Sequence, residues 1–204
     1  MKGFLLDSGA FTFFSSPKHS NVVWDDYVER YADFIVRNNV GRFFELDIDS
    51  LVGYDEVLRL RSRLTKLAGK PPIPVWHKSR GIEEFYRMCD EFDYVAIGGI
   101  VSGEIRRRDY AAFPMFIREA HKRGAQIHGL GFTNLKGLER YHFDSVDSTA
   151  WTTGNRFGSV YRFDGRMMRK FDKAQGQRLA DAKAVALNNF TEWVKFQRYA
   201  ETHL

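Results

Sequence analysis

Between residues 3 and 147, short apolar, β-branched or aromatic runs alternate with longer amphipathic stretches, the pattern of βα units joined in series around a parallel sheet. The short runs predict strands over 3–7 (GFLLD), 42–48 (RFFELDI), 73–77 (IPVWH), 93–99 (DYVAIGG), 126–130 (QIHGL) and 143–147 (FDSVD). The periodic stretches predict helices over 24–38, 54–68, 81–91, 109–123 and 133–141. Helix punctuation agrees: Asp25 and Asp26 fall in a first turn, Gly69 with Pro71 and Pro72 stops the second helix, and Gly124 follows Lys122 and Arg123 at the end of the fourth. After residue 150 the pattern changes. SVYRF, the turn pair Asp164-Gly165 and RMMRKF predict a β-hairpin, and 174–202 predicts one long helix.

Six βα units in series fit a TIM-like (β/α) barrel or an open doubly wound sheet. Asp7, Asp47, His77, Gly98-Gly99, His128 and Asp147 recur at the C-terminal ends of different predicted strands. In a barrel those ends share one mouth, whereas in an open sheet only the switch point would be functional. The expectation is therefore a single barrel domain over 1–204, reduced or completed by the hairpin. Residues 1–151 carry the βα units and 152–204 the hairpin and a basic C-terminal helix.

Composition narrows the class. The 204 residues are 44% hydrophobic and 28% charged, ordinary for a globular chain, and no run approaches the ~18 apolar residues that cross a bilayer. Asp7 and Ser8 break the N-terminal apolar stretch, which reads as a first strand and not a leader. The single cysteine, Cys89, excludes an internal disulfide and a multi-thiolate zinc site. The expectation is a cytoplasmic protein with no membrane partner, no metal and no cofactor. Its 31 basic and 26 acidic side chains give a net +5, and the segment 155–183 alone carries eight basic and three acidic residues. Arg166, Arg169 and Lys170 there, with the triplet Arg106, Arg107 and Arg108, suit a phosphate backbone; a solvated face is the plainer reading.

Three constellations carry candidate chemistry. In DSGAF (7–11) an Asp at a strand end stands beside the exposed N–H groups of a tight turn, although D-S-G is also a common loop sequence. In YVAIGGIVSGE (94–104) paired glycines let backbone approach a flat ligand, or simply make a strand-to-helix turn. In FDSVDSTAW (143–151) two aspartates three residues apart fall on opposite faces of a strand, so one can be a nucleophile toward an anomeric carbon while the other orients the strand.

With these residues the chain resembles the tRNA-guanine transglycosylases, including their archaeosine and DNA-acting 7-deazaguanine branches. The family's Asp-Ser-Gly-Gly-Phe loop is matched by Asp7-Ser8-Gly9-Ala10-Phe11, and its Gly-Gly-Leu-Ala-Val-Gly-Glu turn by Gly98-Gly99-Ile100-Val101-Ser102-Gly103-Glu104. Gly129-Leu130-Gly131 stands for its Gly-x-Gly, Asp144-Ser145-Val146-Asp147-Ser148 for its Asp-x-Phe-Asp-Ser/Cys, and Leu46-Asp47-Ile48 is similar to the archaeal strand that presents a base-recognising Asp. The motifs keep the family's order over residues 4–151. The resemblance implies Asp147 as the nucleophile of a glycosyl-enzyme intermediate, Asp7 as acid/base, and Asp47 as acceptor for a guanine-like edge. It also implies contact of the base with Ser8, Gly9, Phe11, His77, Gly98, the Gly99–Ile100 backbone and Gly129, and makes Asp144 structural. The partners it implies are nucleic acid and a small deazapurine base; the missing zinc module and the basic C-terminal region put DNA slightly ahead of tRNA. The chain departs from the family in lacking its Cys-rich zinc site, in beginning six residues before the Asp-Ser-Gly loop, and in reading Pro74-Val75-Trp76-His77 where the family offers a Gln.

Phe11 and Trp76 suit either base stacking or core, and His77 and His128 suit catalysis, orientation of a neighbour or, less often, a metal; His19, His121, His142 and His203 are expected at the surface. Two rival functions remain: a non-catalytic nucleic-acid-binding barrel, and an N-glycosidase acting on free nucleosides.

Overall fold

The computed structural model describes residues 4–13, 22–132, 135–147, 154, 158–174, 176–178 and 180–203, with backbone alone at residues 10, 11, 135 and 136. The chain is mixed α/β. In order it forms β1 (Leu5–Leu6), α1 (Trp24–Arg37), β2 (Arg42–Phe43), α2 (Asp49–Val52), α3 (Tyr54–Ala68), β3 (Val75–Trp76), α4 (Gly81–Glu91), β4 (Tyr94–Ile97), α5 (Phe113–Lys122), β5 (Gln126–Gly129), α6 (Leu135–Tyr141), β6 (Ser145–Val146), β7 (Ser159–Phe163), β8 (Met168–Asp172) and α7 (Ala182–His203). Two compact units divide it: Met1–Trp76 with Ile82–Ala96, and His77–Gly81 with Ile97–Leu204. No described helix is long and apolar enough to cross a membrane.

In the first unit β1 runs parallel to β2, and a parallel bridge joins Phe44 to Ile73. The buried residues of α1 are Val28, Tyr31, Ala32 and Ile35, spaced to fall on one helical face, and those of α3 (Val57, Leu60, Arg61, Leu64) repeat that spacing. Both stripes enter a core with Val40, Phe43, Leu46 and Ile48. Arg61 sits on that apolar stripe because Glu45 meets it: Nε donates to Oε2 at 2.5 Å, Nη2 donates to Oε1 at 3.2 Å, and the Val75 N–H reaches Oε1 at 2.7 Å. Burial disfavours the guanidinium charge, but the Glu45 carboxylate more than restores it, raising the Arg61 pKa. Strand 42–48 is shorter than the sequence suggests. The Ile48 N–H turns back to the Leu46 carbonyl and Asp49 opens α2, so pairing ends near Glu45.

In the second unit β5 runs parallel to β6, and the Leu130 N–H donates to the Ile97 carbonyl. Phe113, Phe132, Tyr141 and Phe143 pack edge-on or tilted against one another beneath this end. The helix expected over 109–123 is divided: 107–112 is a 3-10 turn and α5 starts at Phe113, with Pro114 in its first turn where no N–H is missed. The hairpin forms as expected, with Asp164 accepting from the Arg166 and Met167 N–H groups and from Arg169 Nε. These bonds, Met167 first, bring its pKa down to about 2. The last helix begins at Ala182 and not at 174, because the Asp181 carboxylate caps the Ala184 N–H at 2.8 Å.

α7 then covers the outer edge of β7. Asn189, fully buried, accepts from the Tyr161 N–H at 2.8 Å and donates to the Ser159 carbonyl at 3.0 Å. Asn188 donates to the Tyr161 carbonyl, and Glu192 accepts from the Phe163 N–H. Helix side chains thus complete a strand edge that would otherwise present unpaired backbone.

Candidate active site

The parallel register sets His128 of β5 opposite Ser145 of β6 and Gly129 opposite Val146. Alternation along the strand puts Ser145 and Asp147 on one face and Asp144 on the other. The His128 ring lies between the first two: Nδ1 is 2.5 Å from Ser145 Oγ, and Nε2 is 3.2 Å from Asp147 Oδ1. An ionised carboxylate only accepts, so Nε2 carries the hydrogen; in the neutral ring Nδ1 then accepts from the Ser145 hydroxyl. The Gly131 N–H donates to the same Oδ1 at 2.5 Å. Burial opposes the charge on Asp147, but the His128 and Gly131 hydrogen bonds outweigh it and hold the carboxyl below the usual range. His128 is 1% exposed, whereas 46% of the Asp147 side chain is open. The carboxylate is the solvent end of the chain.

Asp144, on the opposite face, accepts from His121 Nε2 at 2.8 Å and from the Ile127 N–H at 2.7 Å, while its own N–H donates to the Ile127 carbonyl. It stitches β6 to β5 and to α5.

The turn after β4 closes on itself. The Gly99 carbonyl accepts from the Ile105 N–H and the Ser102 hydroxyl, and Glu104 returns beneath Gly99. Gly99 has φ +78°, and a Cβ there would lie 2.8 Å from Glu104 Oε2, so only glycine fits. Glu104 Oε2 meets His77 Nδ1 at 2.9 Å, and Oε1 accepts from the Ser79 N–H at 2.7 Å. Burial opposes ionisation of Glu104, and these two partners outweigh it, lowering its pKa. Lys78 pairs with Asp109 at 3.2 Å, and Asp109 also accepts from the Arg106 N–H. Gly131, at φ +68°, faces Val101 of this turn with no room for a Cβ. The segments that follow β4, β5 and β6 therefore meet within the second unit, with His77, Gly99, Glu104, His128, Gly131 and Asp147 among them.

No protein-family model, curated protein or solved structure matches the chain.

Asp7 and Asp47 belong to the first unit. Asp7 is exposed just past β1 and accepts from the Gly9 N–H at 3.2 Å; the Tyr27 hydroxyl donates to the Ser8 carbonyl at 2.5 Å. Burial chiefly, and then the Asp7 charge, push the Tyr31 hydroxyl upward. Asp47 is half-buried just beyond β2, and its carboxylate lies within 4.8 Å of that of Asp49. Trp76 is buried against Phe85 in this unit's interior. The Phe11 side chain, Ser148, Trp151 and Arg156 lie outside the described residues.

Among the candidate phosphate ligands, Arg106, Arg107 and Arg108 are exposed. Arg166 pairs with Glu139, Arg169 with Asp164 and Lys170 with Asp172. Sequence reasoning missed two participants, Glu104 and Ser145. Glu104 was visible only as the last letter of the Gly-rich turn, and Ser145 as the residue two before Asp147.

Proposed function

We propose that this protein is a base-exchange transglycosylase that inserts a guanine-like (7-deazaguanine) base into nucleic acid, DNA ahead of tRNA, on a TIM-like (β/α) framework. The observation that supports this most is the Asp147 carboxylate. It is ionised, half open, and held at one oxygen by the Gly131 N–H and His128. Both bonds are received at Oδ1, so Oδ2 is the oxygen for attack on the anomeric carbon. In the first step an Oδ2–C1′ bond forms, the N-glycosidic bond breaks, and its electron pair leaves on the base nitrogen, which takes a proton from an acid. In the second, the incoming base nitrogen attacks C1′, expels Asp147 and loses its proton. The resemblance assigns that proton transfer to Asp7 and recognition of the base edge to Asp47. The Gly98–Gly99–Ile100 backbone, set by Glu104, is suited to contact with a flat base.

His128 is a positioning residue: its Nε2–H fixes the carboxylate rotamer, and Ser145 fixes the ring. The same three residue types serve in hydrolases with a serine nucleophile. Here the open end of the chain is the carboxylate, which favours Asp147 as nucleophile over Ser145.

The test offers DNA and tRNA with labelled guanine and deazaguanine bases, then analyses nucleosides by mass spectrometry and traps the covalent species on denaturing gels. Asp147→Asn should abolish exchange and the adduct, Ser145→Ala should only slow exchange, and Asp7→Asn should depress the rate strongly. Full exchange by Asp147→Asn would sink the reading.

A further inference from the structure

The β7–β8 register pairs Val160 with Phe171 and Arg162 with Arg169, while Ser159, Tyr161 and Phe163 stand opposite Asp172, Lys170 and Met168. Directly opposite residues share a face. One face is occupied: Tyr161 packs on Trp193, and Phe163 on Phe196 and Tyr199, all from α7. The other presents Val160, Phe171, Arg162 and Arg169. Phe171 is 56% exposed, large for a phenylalanine on a strand.

Two like charges directly opposite one another oppose the pairing that holds them. Asp164 in the turn takes Arg169 Nε at 2.6 Å, while Arg162 makes no ion pair among the described residues. Residues 158–173 carry five cations and two carboxylates. This face therefore has an open aromatic ring, a cation in no close ion pair whose charge reaches Glu192, an acid already taken by Lys195 and the Phe163 N–H, and a like-charged neighbour held by an exposed pair that an incoming phosphate can replace.

We propose that this outer face of the hairpin is a docking surface for a single-stranded nucleic acid. Phe171 stacks on an unpaired base, while Arg162 and Arg169 take flanking phosphates. Stacking needs a base whose π-face is free, which a duplex does not offer, and a single aromatic between cations tolerates any sequence. The inference rests on the nucleic-acid reading above and adds the strand state and the surface.

The test is fluorescence anisotropy with a labelled single strand of about 12 nucleotides, as DNA and as RNA, and with the matching duplex, over a salt series. The single strand should bind more tightly than the duplex. Phe171→Ala should weaken it by about tenfold or more, and Arg162→Gln should lower the slope of log K against log salt by about 0.7. Both side chains are exposed, so melting temperatures should stay unchanged; Arg37→Gln in the first unit serves as a control and should bind as wild type. Equal binding of duplex and single strand, an unaffected Phe171→Ala, or binding indifferent to salt would each overturn the proposal, the last pointing to an apolar partner. Exchange is assayed in parallel. A protein that binds as described but never exchanges a base loses the catalytic reading alone, and one that exchanges while Phe171→Ala binds normally loses the docking surface alone.

Discussion

Two aspartates three residues apart stand on opposite faces of a strand, and they differ in what each touches. Asp144 is consumed by the Ile127 N–H and His121, so Asp144→Asn should lower the melting temperature. The cost is that of weakening bonds to a charged acceptor, about 1–3 kcal/mol. Under the proposed exchange reaction, Asp147→Asn should instead leave binding of nucleic acid intact and remove turnover. His128→Gln tests the positioning role. It should cut single-turnover rates by roughly a hundredfold through misplacement of the carboxylate, with little change in apparent affinity; a fall in affinity with unchanged rate would argue against it. The pH dependence follows from the lowered pKa of Asp147. A carboxyl with a depressed folded-state pKa stabilises fully above its unfolded value, about 3.9, and loses that contribution as pH falls through the folded value. The gap in melting temperature between wild type and Asp147→Asn should therefore narrow in acid below about pH 4.

At the scale of elements, buried polar residues join strands to helices in both units. Asn189 supplies both a donor and an acceptor to the edge of β7. Asn189→Leu would leave the Tyr161 N–H and Ser159 carbonyl unpaired, at about 1–3 kcal/mol for each, so urea denaturation should show a clearly lower midpoint. Arg61 and Glu45 do the same for the first unit. Breaking a buried pair by removing one charge costs about 3–5 kcal/mol, and Glu45→Gln should raise amide exchange in α1 and α3 more than an exposed change such as Arg37→Gln. The elements themselves were legible in the chain, since each run of apolar spacing became a strand or helix close to its expected place. Their ends were less so. The start of α7 depends on the Asp181 cap, and the split before α5 on Pro114; both are local signals masked by a helical pattern that continues across them.

For the whole molecule, charge and topology act at different ranges. In the proposed nucleic-acid reading, a net +5 acts without regard to sequence, and its trace is the salt slope of binding. Replacing Arg106, Arg107 and Arg108 together by Gln should flatten that slope by up to about 2 for a single strand while leaving per-site chemistry unchanged. Arg166 and Lys170 should contribute less, because Glu139 and Asp172 already pair with them in the fold.

The sequence by itself determined the mixed α/β class, the order of elements and the hairpin, because hydrophobic period and turn chemistry are local properties of the chain. It also singled out Asp147, His128 and the glycines of both turns, since strand ends can be read from pattern. It did not reveal that His128 bridges Ser145 and Asp147, that Glu104 folds under Gly99 onto His77, or that Asp144 is spent on Ile127. Those are contacts between strands and turns 17 to 27 residues apart. They depend on register and on the closeness of backbones at Gly99 and Gly131, which only the packed chain decides.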